Sequence, residues 1–329
     1  MSDTPKTCFL IVGLPRSGTS AVAQFLEHLG VYFGDPSHFL DTKKHIHNPI
    51  FYELQWINDF NDRVIRASNR FELDCDFLPI EEDFHRPGIA ELGESLRKQL
   101  LEEFGDRPIV GVKDPRICFT YPLWRAALTE LGYAIKTVFT VRSASAILKS
   151  NLAITGARPC YWRRSFASHL LALRYFSRDV PVCQFDYDLL MREPLNYGQA
   201  KAAELGLAIP DAAQATRHLS RAHYHHQADD AGTGDSWLDR IDRDLRAGRL
   251  DANEYLAFRA TALLFIEELE AMEKNERLRR EGNVPGTEPA AEQWFQEHQR
   301  LRALLQQGGR FNVKPRPDGT IDIRRISKS

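Results

Sequence analysis

The sequence predicts an α/β protein with a parallel β-sheet flanked by helices, followed by an appended, mostly helical C-terminal region. Short continuous apolar runs alternate with helical patterns, which is typical of a parallel sheet covered on both faces. A turn rich in Gly, Pro and Ser separates the first apolar run from the first helical pattern. Charged residues at helical spacing dominate later, so we predict one domain over residues 1–226 and an extension over residues 227–329.

Four strands are predicted from short apolar runs, at residues 9–12, 109–112, 135–141 and 181–187. Apolar residues at helical spacing predict the helices of the first domain, at residues 19–29, 50–66, 89–104, 121–131, 143–155, 161–177, 200–207 and 211–219. In the extension, helices are predicted at residues 250–280 and 290–307. A hairpin is predicted at residues 311–326, around Pro317-Asp318-Gly319.

Composition excludes several classes of function. The 329 residues carry a formal net charge of −2, which does not favour a nucleic-acid-binding surface. No apolar run is long enough to predict a membrane span, and the polar N-terminus does not resemble a secretory signal. The five cysteines are scattered and form no C-x-x-C pair, so we expect free thiols and a cytoplasmic location.

The loop between the first strand and the first helix is the strongest functional signal. A strand, a glycine-containing loop and a helix together direct backbone N–H groups and the positive helix end at one spot, which favours a phosphate-like anion. Gly13 and Gly18 have the spacing of the nucleotide triphosphate loop G-x-x-x-x-G-K-[ST], but Thr19 stands where that loop has Lys. The cation lies inside the loop instead, at Arg16.

Residues 15–20 read Pro-Arg-Ser-Gly-Thr-Ser, and this stretch resembles the P-[KR]-S-G-T-[ST] loop of the sulfotransferases that use 3′-phosphoadenosine-5′-phosphosulfate (PAPS). The resemblance implies that Pro15, Arg16, Ser17, Gly18, Thr19 and Ser20 hold the 5′-phosphate and the sulfate. It also implies a P-loop NTPase-like sulfotransferase fold over roughly residues 9–207.

Two further strand ends carry cations, at residues 113–116 and at Arg142. Because parallel strands end at one edge of a sheet, these cations and the loop predict a single anion-binding crevice. In the sulfotransferases that the chain resembles, a strand-end Arg and a Ser eight positions later hold the 3′-phosphate, and Arg142 and Ser150 have that spacing. Lys113-Asp114-Pro115 resembles a segment whose Lys sits by the bridging oxygen of the phosphosulfate, which implies a catalytic role for Lys113.

The residue that takes the proton from the acceptor is not fixed by the sequence. The K-[TS]-H pattern of the His-using relatives is absent, so the candidates lie after the first helix: Asp35, His45, His47 and Glu53. Residues 48–53 resemble the N-P-x-G-[FY]-x-E segment of bacterial relatives, with Phe51 in place of Gly and with Glu53 one position before the acid of that segment. Apolar neighbours of Glu53 would raise its pKa, so we predict Glu53 as the base.

The resemblance implies sulfuryl transfer from PAPS to a hydroxyl or amine of a carbohydrate or small molecule, with Arg16, Lys113 and Glu53 as catalytic residues and no metal. His223, His225 and His226 are interpreted as a solvated cluster rather than a zinc site. One alternative is a P-loop kinase or NTPase with an altered loop, and another is a nucleotide-binding scaffold without turnover. The C-terminal helices could serve as an oligomer surface.

Overall fold

The computed structural model describes residues 5–41, 51–67, 78–155, 159–209, 211–217, 219, 232–233, 236–262, 310–315 and 321–326. The chain divides into two compact units, Met1–Ala252 and Asn253–Ser329. The first unit therefore extends past residue 226, where the sequence predicts the start of the C-terminal extension.

A four-stranded parallel sheet forms the centre of the first unit. Its strands are β1 (Lys6–Val12), β2 (Ile109–Lys113), β3 (Tyr133–Val141) and β4 (Val182–Asp186). The spatial order is β2-β1-β3-β4, and each neighbouring pair is parallel. The parallel sheet predicted from the apolar runs is thus confirmed.

The strands form where the sequence concentrates apolar side chains. In β1 the last five residues, Cys8 to Val12, are buried, because helices cover the central strand on both faces. Phe9 and Ile11 pack with Val22 and Phe25 of the first helix in one core cluster. This packing fixes the carboxyl end of β1, and with it the loop that follows.

The described residues of the first unit form ten helices. They are α1 (Thr19–His28), α2 (Gln55–Ala67), α3 (Pro87–Phe104), α4 (Ile117–Glu130), α5 (Ala144–Thr155), α6 (Pro159–Phe176), α7 (Tyr187–Arg192), α8 (Pro194–Glu204), α9 (Ala212–Thr216) and α10 (Ser236–Arg246). Short 3₁₀ turns lie at Pro36–His38 and Glu81–His85.

Helix α4 begins four residues earlier than the sequence pattern predicts. Asp114 explains the early start: its carboxylate accepts the backbone N–H of Arg116 at 2.7 Å, and its carbonyl accepts the N–H of Ile117 at 3.1 Å. These bonds satisfy donors that a helix start otherwise leaves without partners. Pro122 lies inside the helix.

Helix boundaries also shift at α2 and α8. Helix α2 begins at Gln55 rather than at residue 50, so Glu53 precedes the helix instead of lying within it. Helix α8 begins at Pro194, since proline is well tolerated in the first turn of a helix, whereas the pattern placed this start at residue 200.

The second unit is described only in part. Residues 254–262 are helical. Strands β5 (Arg310–Pro315) and β6 (Ile321–Ile326) pair antiparallel with Pro315 opposite Ile321, which agrees with the predicted hairpin. The predicted helix at residues 290–307 lies outside the described residues.

Three cysteines, Cys8, Cys118 and Cys183, are buried free thiols, as the sequence predicts. Burial raises the pKa of Cys118 and Cys183 to about 12. The side chains of Cys75 and Cys160 lie outside the described part of the chain. Within that part, no helix combines the length and the apolar character that crossing a membrane requires.

Candidate functional site

The strand order places two loops side by side at the carboxyl edge of the sheet. After β1 the chain crosses to β2 on one side of the sheet, and after β3 it crosses to β4 on the other side. The topological switch point, where the connections change direction, therefore lies between β1 and β3. Val12 at the end of β1 pairs with Phe139 near the end of β3. Ligands of open α/β sheets bind in the crevice at such a point.

The loop after β1 has the backbone of an anion-binding turn. Gly18 caps α1 with a φ of 99°, in a region that L-residues with side chains rarely adopt. A Cβ atom at Gly18 would also lie 2.1 Å from the ring of Tyr187, so glycine is required for close packing as well. Ser17 closes the turn, because its hydroxyl donates to the carbonyl of Leu14 at 2.8 Å.

Arg16 also has a left-handed backbone, with a φ of 73°. This conformation is uncommon for a non-glycine residue and costs roughly 1–3 kcal/mol, so neighbouring contacts must hold it. Arg142 holds the backbone, since its Nη1 donates to the carbonyl of Arg16 at 3.1 Å. The side chain is held by Ser150, whose Oγ accepts from Nε of Arg16 at 3.1 Å.

Arg16, Arg142 and Ser150, which the sequence analysis selected from two distant segments, therefore lie together. Burial lowers the pKa of Arg16, and the nearby charge of Arg142 lowers it further. Asp188 lies 3.8 Å from Nε of Arg142, whereas no described carboxylate forms an ion pair with Arg16. Two guanidinium groups this close to each other favour a bound anion.

The donor set fits a nucleotide that carries phosphate groups. Arginine offers forked donors to phosphate oxygens, the serine hydroxyl offers a further donor, and the start of α1 offers backbone N–H groups. Thr19, the first residue of α1, is buried, and Pro15 accepts a hydrogen bond from Asn151 of α5 at 3.5 Å. Helix α5 thus supports the loop from the side on which Arg142 and Ser150 lie.

Lys113 and Glu53 form a second group at the same edge. Lys113 ends β2, and its Nζ forms an ion pair with Glu53 Oε1 although the residue is only 2% exposed. The same ammonium donates to the carbonyl of Phe51 at 2.9 Å and to Ser20 Oγ at 3.3 Å. Ser20 is the second residue of α1, so this contact joins the lysine to the anion loop.

Burial raises the pKa of Glu53, while the charge of Lys113 acts in the opposite direction and that of Asp114 raises it further. A carboxylate with a raised pKa is a better proton acceptor near neutral pH. Tyr52 orients this residue through a left-handed backbone, with a φ of 57°. Its ring contacts Phe33 and Phe39, and its hydroxyl donates to Glu27 of α1 at 2.8 Å.

The other proton acceptors that the sequence allowed are placed differently. The carboxylate of Asp35 caps a 3₁₀ turn by accepting the N–H and the hydroxyl of Ser37, at 2.8 and 2.7 Å. These hydrogen bonds lower the pKa of Asp35, which makes it a weaker base. His45 and His47 lie outside the described residues.

Arg116, the second cation after β2, does not share the environment of Lys113. It forms ion pairs with Asp114, at 2.7 Å, and with Asp62. Its charge is therefore compensated within the protein. Lys113, in contrast, donates from its side chain to Ser20 of α1.

Sequence reasoning missed a group of charged residues beside Arg142. Arg246, at the end of α10, bonds to Asp186 at 2.7 Å, to Asp242 at 3.1 Å and to Asp188 at 3.3 Å. Asp188 also accepts the backbone N–H of Ser143 at 3.2 Å. The alternation of Asp and Arg in α10 is the available signal, but the sequence predicts for this segment only that it belongs to the extension.

No group of His, Cys, Asp and Glu among the described residues has the arrangement of a metal site. The cluster of His223, His225 and His226 lies outside those residues.

No family model matches the chain, and no curated protein matches it in sequence. Solved structures to which it is similar include the sulfotransferase domain of the curacin biosynthetic pathway, at 14% identity and a TM-score of 0.37, with 74% of this chain and 87% of that chain covered. Another is the sulfotransferase domain of the Synechococcus PCC 7002 olefin synthase, at 14% identity and a TM-score of 0.42, with coverages of 79% and 95%.

A third similar structure is retinol dehydratase in complex with androsterone and the inactive cofactor PAP, at 14% identity and a TM-score of 0.33, with coverages of 79% and 82%. The structural neighbours thus include two sulfotransferase domains and a protein solved with PAP. Since every TM-score here is below 0.5, the function rests on the residues of this chain.

Proposed function

We propose that this protein is a sulfotransferase that transfers a sulfuryl group from PAPS to a hydroxyl or amine of a carbohydrate or small molecule. The observation that carries the proposal is the meeting of Arg16, Arg142 and Ser150 at the β1/β3 switch point. Two close guanidinium groups beside a helix start suit a nucleotide with two separate phosphate groups. The missing loop lysine disfavours ATP with Mg²⁺.

In this proposal the two ends of the nucleotide meet different residues. The loop from Pro15 to Ser20 holds the 5′-phosphosulfate with its backbone N–H groups and with Arg16. Arg142 and Ser150 hold the 3′-phosphate. Because Arg142 also bonds to the carbonyl of Arg16 at 3.1 Å, binding at one phosphate position supports the loop at the other.

The chemical step needs a proton acceptor and a cation at the breaking bond. The acceptor oxygen or nitrogen forms a bond to sulfur, the bond from sulfur to the bridging oxygen breaks, and adenosine 3′,5′-bisphosphate leaves. Glu53 takes the proton of the acceptor, and Lys113 neutralises the charge that develops on the bridging oxygen. The ion pair of Lys113 with Glu53 supports these two roles, because it keeps both side chains beside α1, the helix that follows the anion-binding loop.

Calorimetry with adenosine 3′,5′-bisphosphate and with adenosine 5′-monophosphate tests the nucleotide part of the proposal. We expect the bisphosphate to bind more tightly, because only it reaches both arginines. A screen of acceptors with labelled PAPS then tests transfer. Phosphorylation with ATP and Mg²⁺ in the absence of PAPS binding would favour a kinase, and bisphosphate binding without transfer to any acceptor would favour a binding scaffold.

A further inference from the structure

Arg142 lies beside more negative charge than it can neutralise alone. Asp188 lies 3.8 Å from its Nε, and Asp186 and Asp242 belong to the same cluster through their bonds to Arg246. Asp188 and Asp242 also accept the N–H groups of Ser143 and Ala144, at 3.2 and 3.1 Å. The start of α5 is therefore capped by carboxylates next to the proposed phosphate site.

Arg246 is the cation that balances these carboxylates. Each of its three nitrogens bonds to a different carboxylate: Nη1 to Asp186, Nε to Asp242 and Nη2 to Asp188. Its side chain is 24% exposed, so solvent screens these ion pairs only in part. Its distance to Asp188, 3.3 Å, is shorter than the 3.8 Å between Asp188 and Arg142.

We propose that Arg246 is a positioning residue for the nucleotide site: it takes up the negative charge of Asp188 and thereby keeps the guanidinium of Arg142 available to a phosphate. Without Arg246, Asp188 would lose its nearer cation, draw Arg142 closer and turn it away from the ligand. This inference rests on the proposed function, since it assumes that Arg142 reads the 3′-phosphate. It also means that α10, which carries Arg246, supports the nucleotide site.

The test compares binding of adenosine 3′,5′-bisphosphate with binding of adenosine 5′-monophosphate in the full chain. For Arg246→Met we expect about a tenfold loss of affinity for the bisphosphate, equal to about 1.4 kcal/mol, and little change for the monophosphate. Arg246→Gln keeps hydrogen-bond donors and removes the charge, so we expect the same loss of affinity for the bisphosphate. This variant replaces Arg246→Met in the test if the Met variant does not fold. Arg243→Met, at an exposed position of the same helix, is the matched control.

A second substitution separates charge balance from a purely structural role. Asp188→Asn removes the negative charge and keeps an oxygen that can accept the N–H of Ser143, so adding it to Arg246→Met should restore the preference for the bisphosphate. Equal weakening of both nucleotides by Arg246→Met, or no recovery in the double variant, would overturn the inference alone. A wild-type protein that binds both nucleotides equally would overturn the proposed function and this inference with it.

Discussion

Lys113 and Arg16 are both cations beside the anion loop, but the protein surrounds them differently. Lys113 is buried against a carboxylate, because Glu53 forms an ion pair with it. Arg16 bonds to the neutral Ser150 and lies close to a second cation, Arg142. The first cation is paired with a carboxylate inside the protein, whereas Arg16 lies beside another cation, so a bound anion stabilises both arginines.

This difference separates two tasks within one crevice. A compensated pair of acid and base can exchange a proton and respond to charge that appears only during the reaction. Two guanidinium groups near each other contribute binding energy for a phosphate already present in the ground state. We therefore expect substitutions at Lys113 and Glu53 to change mainly the rate, and those at Arg142 and Ser150 to change mainly the affinity.

Lys113→Ala is expected to have the largest effect. Loss of a group that stabilises charge in the transition state typically lowers turnover about 10²- to 10³-fold, and here Glu53 also loses its partner. Nucleotide affinity should change much less. Turnover at saturating PAPS, measured beside calorimetry with the bisphosphate, checks the prediction. If affinity collapses while turnover at saturation stays normal, Lys113 is a ground-state binding residue.

The pH dependence of kcat/KM in Lys113→Ala tests whether Glu53 is the base. It should not change if Glu53 and Lys113 only stabilise the fold. Burial raises the pKa of Glu53, and Lys113 partly counteracts this. A base acts when deprotonated, so activity should rise with pH through the pKa of Glu53, above the usual range for glutamate. Without Lys113 that pKa rises further, and the acid limb of kcat/KM should move to higher pH. An unmoved limb would argue against Glu53 as the base.

Glu53→Gln is expected to lower transfer on the order of 10²-fold, because the acceptor proton then has no nearby carboxylate. Nucleotide binding should be intact, since Glu53 bonds to Lys113, whereas Arg16 bonds to Ser150 and Arg142 bonds to the carbonyl of Arg16. Glu102→Gln, which removes the same charge at an exposed position of α3, is the control. Full activity of Glu53→Gln beside an inactive His45 or His47 variant would assign the role to histidine.

Arg142→Ala should weaken binding of the bisphosphate by roughly 1.5–3 kcal/mol, the range for a hydrogen bond to a charged group. Binding of the monophosphate should change much less, although the bond from Arg142 to the carbonyl of Arg16 is also lost. Calorimetry with both nucleotides checks this. Arg125→Ala removes a half-exposed ion pair with Asp179 and is the control. Equal weakening of both nucleotides would mean that Arg142 does not read the 3′-phosphate.

The sheet was predictable because each of its strands is marked locally in the sequence. The run from Cys8 to Val12 is apolar and buried in the structure, and β2 and the second half of β3 are buried in the same way. In β4 buried residues alternate with half-buried ones. Arg16 and Arg142 could be chosen for a related reason, since each follows the end of one of these strands, and Ser150 could be chosen by its spacing of eight positions from Arg142. Their closeness follows from the pairing of Val12 with Phe139.

Two parts of the site depend on contacts that no local pattern reveals. The approach of Glu53 to Lys113 requires Tyr52 to adopt a φ of 57°, which is unusual for an aromatic residue and is supported by its bond to Glu27. Arg246 lies far from Arg142 in the chain, and the polar character of α10 resembles an ordinary solvated helix. Only the folded arrangement joins it to Asp188.

Ser150→Ala should have the smallest effect on nucleotide affinity. It tests which of Arg16, Arg142 and Ser150 contributes most to phosphate binding. Ser150 Oγ accepts from Nε of Arg16, so its loss removes one hydrogen bond and one donor for the 3′-phosphate, but no charge. We expect the bisphosphate to bind more weakly by about 0.5–1.5 kcal/mol, measured by calorimetry beside Arg142→Ala. A larger loss than that of Arg142→Ala would mean that the orientation of Arg16, rather than the charge of Arg142, provides most of the phosphate binding.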